Sequence, residues 1–128
     1  MVAFDIALKD HLVTLGHGPF TVGNLPDSPS NAIAIYDTGG EPTELDENAI
    51  GAPQVIDIQI RARNKTQDGA RAVLLDIQAD LHRLVGVDIG GWYIMTSTAT
   101  DRPSILTRET KGGWSLISNY EIDAQELI

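Results

Sequence analysis

"QVIDIQIRARN", residues 54–64, decides the fold class. Ile56, Ile58, Ile60 and Ala62 fall on one side of an extended chain, and Asp57, Gln59, Arg61 and Arg63 on the other. A period of two is that of a β-strand, whose successive side chains point to opposite faces. One face is apolar and the other charged, so the strand belongs to a sheet with a core on one side and water on the other. That pattern is typical of antiparallel sheets.

Upstream, "NAIAIYD" (31–37) alternates in the same way, with Ile33 and Ile35 set against Ala32, Ala34 and Tyr36. Between the two strands, "TGGEPTELDENAIGAP" (38–53) reads as a long polar loop carrying Glu41, Glu44, Asp46 and Glu47. Structureless loops longer than ~12–15 residues are uncommon in compact domains and often functional, so this loop is expected to order against a partner. Downstream, Ala70, Val73, Leu74, Ile77, Leu81, Leu84 and Val85 form an apolar stripe that predicts a helix over 66–85, capped by Thr66 and ended by Gly86. A shorter helix is predicted over 4–15, with Phe4, Leu8, Leu12 and Leu15 in register and Gly16 as its stop. The Gly- and Pro-rich segment 16–31 leaves room for one brief strand at 20–22. "WYIMTSTA" (92–99) and "WSLISNYEI" (114–122) read as further strands, and Pro103–Lys111 as a connector with at most a short edge strand. The expected architecture is α+β: a mostly antiparallel sheet of four to five strands with two helices on one face, in a single domain over 1–128.

The chain of 128 residues has a formal net charge of −9, unevenly placed. Residues 1–60 hold one cation, Lys9, against nine acids, whereas residues 61–128 hold eight against nine. An acidic surface repels phosphate, which disfavours sequence-independent nucleic-acid binding. The asymmetry suits charge-complementary contact between copies or with a basic partner. There is no cysteine, which excludes disulfides, thiol nucleophiles and cysteine-ligated zinc. Asp5, Lys9 and Asp10 interrupt any leader-like apolar run, and no segment approaches the ~18 apolar residues of a membrane helix.

Asp37-Thr38-Gly39 matches the catalytic triplet of aspartic proteases. Such enzymes need two carboxylates sharing one proton, which a chain of this length could supply only as a homodimer using Asp37 of each copy. Retroviral-type proteases are almost wholly β, however, and this chain carries two predicted helices. Turn chemistry is the simpler reading, because Asp and Gly let a strand stop and reverse. His11, His17 and His82 lack metal-ligand spacing, and no nucleophile elbow, P-loop or dinucleotide fingerprint occurs. No cofactor, metal or catalytic residue is therefore expected.

"VGNLPDSPSNAIAIYDTGGEPTE" (22–44), followed by "PQVIDIQIRAR" (53–63), resembles the tail terminator, or minor capsid, family of long-tailed bacteriophages. There, a Leu-Pro-Asp-x-Pro loop leads into an apolar strand, an acid-x-Gly-Gly-x-Pro turn, a long loop and an alternating strand. The helix after "ARN" and the ending "GGWSLISNYEI" (112–122) fit the same order. The resemblance implies a non-enzymatic virion protein at the neck-proximal end of the tail, assembled in the host cytoplasm. It also implies a hexameric ring of copies that caps the tail tube, meets neck or connector proteins, and lets DNA pass through its lumen. Within that role, Asp37, Glu41, Glu44, Asp46, Glu47, Arg61 and Arg63 are the expected interface residues, the two arginines opposing acids of the next copy. The alternatives are another neck or head-completion protein and, more remotely, the Asp37 protease.

Overall fold

The computed structural model describes residues 3–26, 31–40, 53–108 and 113–127. The chain runs α1 (Phe4–Thr14), β1 (Phe20–Val22), β2 (Ala32–Gly39), β3 (Pro53–Asn64), α2 (Gln67–Leu81), β4 (Val87–Ile89), β5 (Trp92–Ala99), β6 (Ser104–Arg108) and β7 (Trp114–Glu126). All strands join one sheet of order β1-β2-β3-β7-β5-β4, with β6 also paired to β7. The α+β class holds, but among the described residues the sheet has seven strands instead of four or five, and it is mixed.

Two long strands form its centre. β3 and β7 pair antiparallel from Pro53↔Gln125 to Asn64↔Trp114 without a break. The far edge of β7 is shared: β6 takes its first residues and β5 its last. Register places Ile35, Ile60 and Ser118 in one row, Ile58 and Tyr120 in the next, then Ile56 and Ile122. These residues are buried and belong to the core that also contains the apolar stripes of both helices, apart from Ser118, which is buried on the same face. The alternation in "QVIDIQIRARN" is therefore literal: even positions face the helices and odd positions face out.

The parallel pair β1–β2 explains why the sheet is mixed. Phe20 pairs with Ile33 and Val22 with Ile35, so the two strands run in the same direction instead of forming a hairpin.

α1 closes the molecule. It packs on β1 and β2 at one end of the sheet and on β4 at the other. Laid flat, those ends would be about 24 Å apart at ~4.8 Å per strand, more than twice the ~10 Å width of a helix. The sheet must therefore curl around α1, an exaggeration of the right-handed twist all sheets carry. Phe4 fastens the helix by an edge-to-face contact with Trp92, centroids 5.4 Å apart. At its other end, the N–H groups of Gly16 and His17 bond the carbonyls of Val13 and Leu12, and Gly16 takes φ +93°. The expected glycine stop is in place.

α2 packs on β7, β3 and β5. The Thr66 hydroxyl accepts from the Gly69 N–H at 3.0 Å, and Asn64 Oδ1 accepts from the Thr66 N–H at 3.2 Å. A Cβ on Gly69 would stand 2.6 Å from Asn64 Oδ1, so this double cap needs glycine there. The helix ends at Leu81, earlier than the stripe predicts. The sheet is the cause. The Arg83 N–H donates to Ser97 O at 2.7 Å and the Gly86 N–H to Ile94 O at 2.8 Å, so residues 82–86 run along β5 instead of continuing the helix. Arg83 absorbs the break at φ +65°, and Val85 is left 63% exposed. His82 reinforces the junction, its Nδ1 accepting from the Ala99 N–H at 3.0 Å. His17 ties the loop after α1 to α2 through Asp80, 2.5 Å away.

Leu74 is fully buried under α2 and Leu75 is 46% exposed. Leu74→Ala is expected to cost about 3 kcal/mol in urea unfolding, and Leu75→Ala less than about 0.5 kcal/mol. Burial pushes the Tyr120 hydroxyl up to about 12; the Ser118 hydroxyl opposes this and the Asp101 carboxylate adds to it. Between pH ~10 and ~12 the unfolded chain thus loses a proton that the folded chain retains, and stability falls as pH rises. Denaturation across that range should show the loss in the wild type and its absence in Tyr120→Phe.

Candidate functional site

The outward face of the sheet is polar and largely self-satisfied. Arg61 lies over the Tyr36 ring, 4.4 Å from its centroid, and its Nε donates to Gln59 Oε1 at 2.7 Å. Gln59 Nε2 donates to Asn119 Oδ1 at 3.1 Å, and Asn119 Nδ2 reaches Asp101 at 3.5 Å. One row of side chains is thus linked across β2, β3 and β7 to the end of β5. Arg63 donates from Nη2 to the carbonyl of Pro26. Both arginines that the sequence offers to a neighbouring copy are half-buried and engaged within their own chain.

The next rows are acidic. Asp57 and Glu121 are directly opposed across β3 and β7, and Asp123 follows beside Val55. Asp123 accepts from the Thr96 hydroxyl at 2.9 Å. Like charges placed directly opposite weaken a ladder, so the long β3–β7 pairing carries this cost.

Asp37 stands at a β-bulge. The register steps from Asp37↔Ile58 to Gly39↔Asp57, leaving Thr38 unpaired. The Asp37 carboxylate accepts from the Gly39 N–H at 2.9 Å, and the Thr38 hydroxyl donates to Asp57 O at 3.1 Å. Gly39 takes φ +112° and Gly40 φ +132°, and a Cβ on Gly40 would lie 2.0 Å from the Val55 carbonyl oxygen. Each residue of "DTGG" therefore acts locally. The acid fills an N–H, the threonine bonds the partner strand, one glycine supplies the dihedral and the next admits a backbone. β2 thus extends to Gly39, past the expected strand end at Asp37. Glu41, Glu44, Asp46 and Glu47 lie outside the described residues.

Among the described residues, no three His, Cys, Asp or Glu side chains gather where a metal ion could sit. The edges of the sheet are more distinctive. β1, β4 and β6 each present one side to no other strand among the described residues. Every residue of β6 is exposed, including Ile105 at 48% and Leu106 at 43%. Local spacing marks this segment as a connector with at most a short edge strand. Its available signal is the short apolar pair Ile105-Leu106 behind Pro103, set between Arg102 and Arg108.

Sequence comparison supplies the identification. Residues 9–126 match the family model for the bacteriophage tail terminator protein. The chain belongs to the tail terminator family. No match was found among curated protein sequences. The fold is similar to that of a chain in the virion of a native gene transfer agent particle, with a TM-score of 0.65 over 96% of this chain and 95% of that one, at 13% identity. At that identity the likeness is one of fold. Tail terminators are structural phage proteins, and a structural role agrees with a sheet whose polar face is internally bonded and whose edges are open.

The local role of Asp37 in the bulge is tested by mutation. Asn keeps an oxygen that accepts the Gly39 N–H, so Asp37→Asn should unfold like wild type, whereas Asp37→Ala should lose about 1 kcal/mol. Gly40→Ala, which forces a methyl into the Val55 carbonyl, should lose about 2 kcal/mol or more in the same assay.

Proposed function

We propose that this chain caps the phage tail tube as a ring of copies, ends tube polymerisation and presents the surface that neck or connector proteins join. The observation that carries this reading is the tail terminator match over nearly the whole chain, 9–126. The fold likeness to a chain of a gene transfer agent virion supports it. A ring needs heterologous contacts, one surface of each copy meeting a different surface of the next. Open strand edges at β1, β4 and β6 suit that requirement. A net charge of −9 suits a lumen through which DNA slides, since few cations would hold its phosphates.

In this reading the chain acts as one unit, and six copies make the ring. Its partners are itself, the tail tube protein and the neck. It assembles in the host cytoplasm and ends in the virion at the head-proximal end of the tail, with no cofactor and no catalysis. The segment between β2 and β3, with Glu41, Glu44, Asp46 and Glu47, contributes an acidic contact to the tube or the adjacent copy.

Electron microscopy of tails made with and without the protein tests this. Its absence should give tubes of irregular, excessive length, and the purified protein added to bare tubes should bind one end and stop growth. Tubes of normal length in its absence, with heads that fail to join them, would assign the chain to the neck instead.

A further inference from the structure

The free edges are not alike. β6 is an apolar strand with an arginine at each end: Arg102, Pro103, Ser104, Ile105, Leu106, Thr107, Arg108. It carries no acid over that span, and among the described residues only β7 pairs with it. Both arginines are exposed; Arg108 rests over the Trp114 ring at 5.5 Å, and Arg102 has no ion-pair partner among the described residues. An exposed strand with two apolar side chains and unpaired backbone groups is a template for another strand.

β4 has the opposite character. It pairs with β5 on one side only. A shallow groove lies between it and α1, with the buried Ala7 and Ile89 at the floor and Asp10, His11, Thr14 and Asp88 around it. Asp10 is paired to Lys9 at 3.0 Å, whereas Asp88 is exposed and has no ion-pair partner among the described residues. Gly90 sits so close to α1 that a Cβ there would meet Ala7 Cβ at 3.0 Å, which closes the groove at that end. β1, the third free edge, is Phe20-Thr21-Val22 and bears no charge to select a partner.

We infer that β6 of one copy docks along β4 of the next, its arginines drawn to the Asp88 rim and Ile105 or Leu106 set over the Ala7–Ile89 floor. The contact is strand addition, with backbone bonds giving affinity and charge giving direction. Because β6 and β4 are different surfaces of one chain, the contact is head-to-tail, the type that builds a ring when the rotation between copies closes. This inference rests on the ring reading above and names the two surfaces that build it. It replaces Arg61 and Arg63, which are engaged internally, with Arg102 and Arg108 as the cations that face a neighbour.

The chain has no cysteine, so any disulfide between its copies is formed by introduced cysteines. The double variant Asp88→Cys with Leu106→Cys, oxidised in intact virions, should give a non-reducing ladder of multimers, and each single variant nothing beyond a dimer. A double variant that stays monomeric or dimeric in virions overturns the inference. In a second arm with purified protein, Arg102→Glu and Asp88→Arg should each weaken self-association tenfold or more by sedimentation, and the two together should restore it. No rescue, with folding intact by circular dichroism, likewise counts against the contact. Electron microscopy of the same virions keeps the two readings apart. Capped tails of normal length without a ladder overturn the β6–β4 contact alone, whereas absence of the protein from tail ends overturns the capping role.

Discussion

The β3–β7 ladder is the constraint on which the rest of the molecule depends. Pro53–Asn64 and Trp114–Glu126 pair over their whole length, although a long stretch of chain separates them in sequence. Every other strand attaches to one of these two, directly or through one neighbour, and α2 lies across both. A pairing this distant must close a large loop before it yields contacts, and loop closure is an entropic cost. The ladder offsets that cost by burying Ile56, Ile58, Ile60, Ala62, Leu116, Tyr120 and Ile122 in a single layer. It does so while carrying Asp57 against Glu121 on its outer side, where water moderates the repulsion.

Curl follows from the same layer. A flat seven-stranded sheet with helices on one face would leave its ends uncovered, and α1 is too narrow to cover both. By bending, the sheet lets one eleven-residue helix serve β1, β2 and β4 together, with Leu8 and Leu12 fully buried in the middle. The bending leaves the terminal strands as edges, and those edges are where the molecule differs from one side to the other. On the polar face Arg61 contacts Tyr36 and Gln59, and Arg63 contacts Pro26, within the same chain. The open edges of β4 and β6 are the surfaces on which the proposed contact between copies rests.

Much of the fold was legible in the residues. β2, β3, β5 and β7, the position of both helices, the glycine stop at Gly16 and the cap at Thr66 all follow from local spacing. Local chemistry also explains Asp37, because an acid two residues before a glycine N–H can fill it wherever the strand lies. The departures share one cause. The apolar stripe carries α2 to Val85 because Leu84 and Val85 continue it, yet the carbonyls of Ser97 and Ile94 claim the N–H groups of Arg83 and Gly86. No window of sequence around residue 83 contains those carbonyls. β4 escapes local reading for the same reason, since three residues acquire strand character only from β5 beside them.

The sequence by itself therefore determined which faces are apolar and where helices start, since these depend on neighbours a few positions away; that Asp37–Gly39 form a bulge within β2 instead of ending the strand came from its pairing with β3. Tertiary structure alone decided the parallel placement of β1, the sharing of one β7 edge by β5 and β6, and the exposure of Ile105 and Leu106. It also decided which arginines meet partners of their own chain among the described residues. Arg61 and Arg102 are the same residue type with the same charge, and only the packing of distant strands puts one within reach of Tyr36 and Gln59 and leaves the other at an open edge. Charge is written locally, but its availability to a partner depends on what the folded chain has already brought beside it.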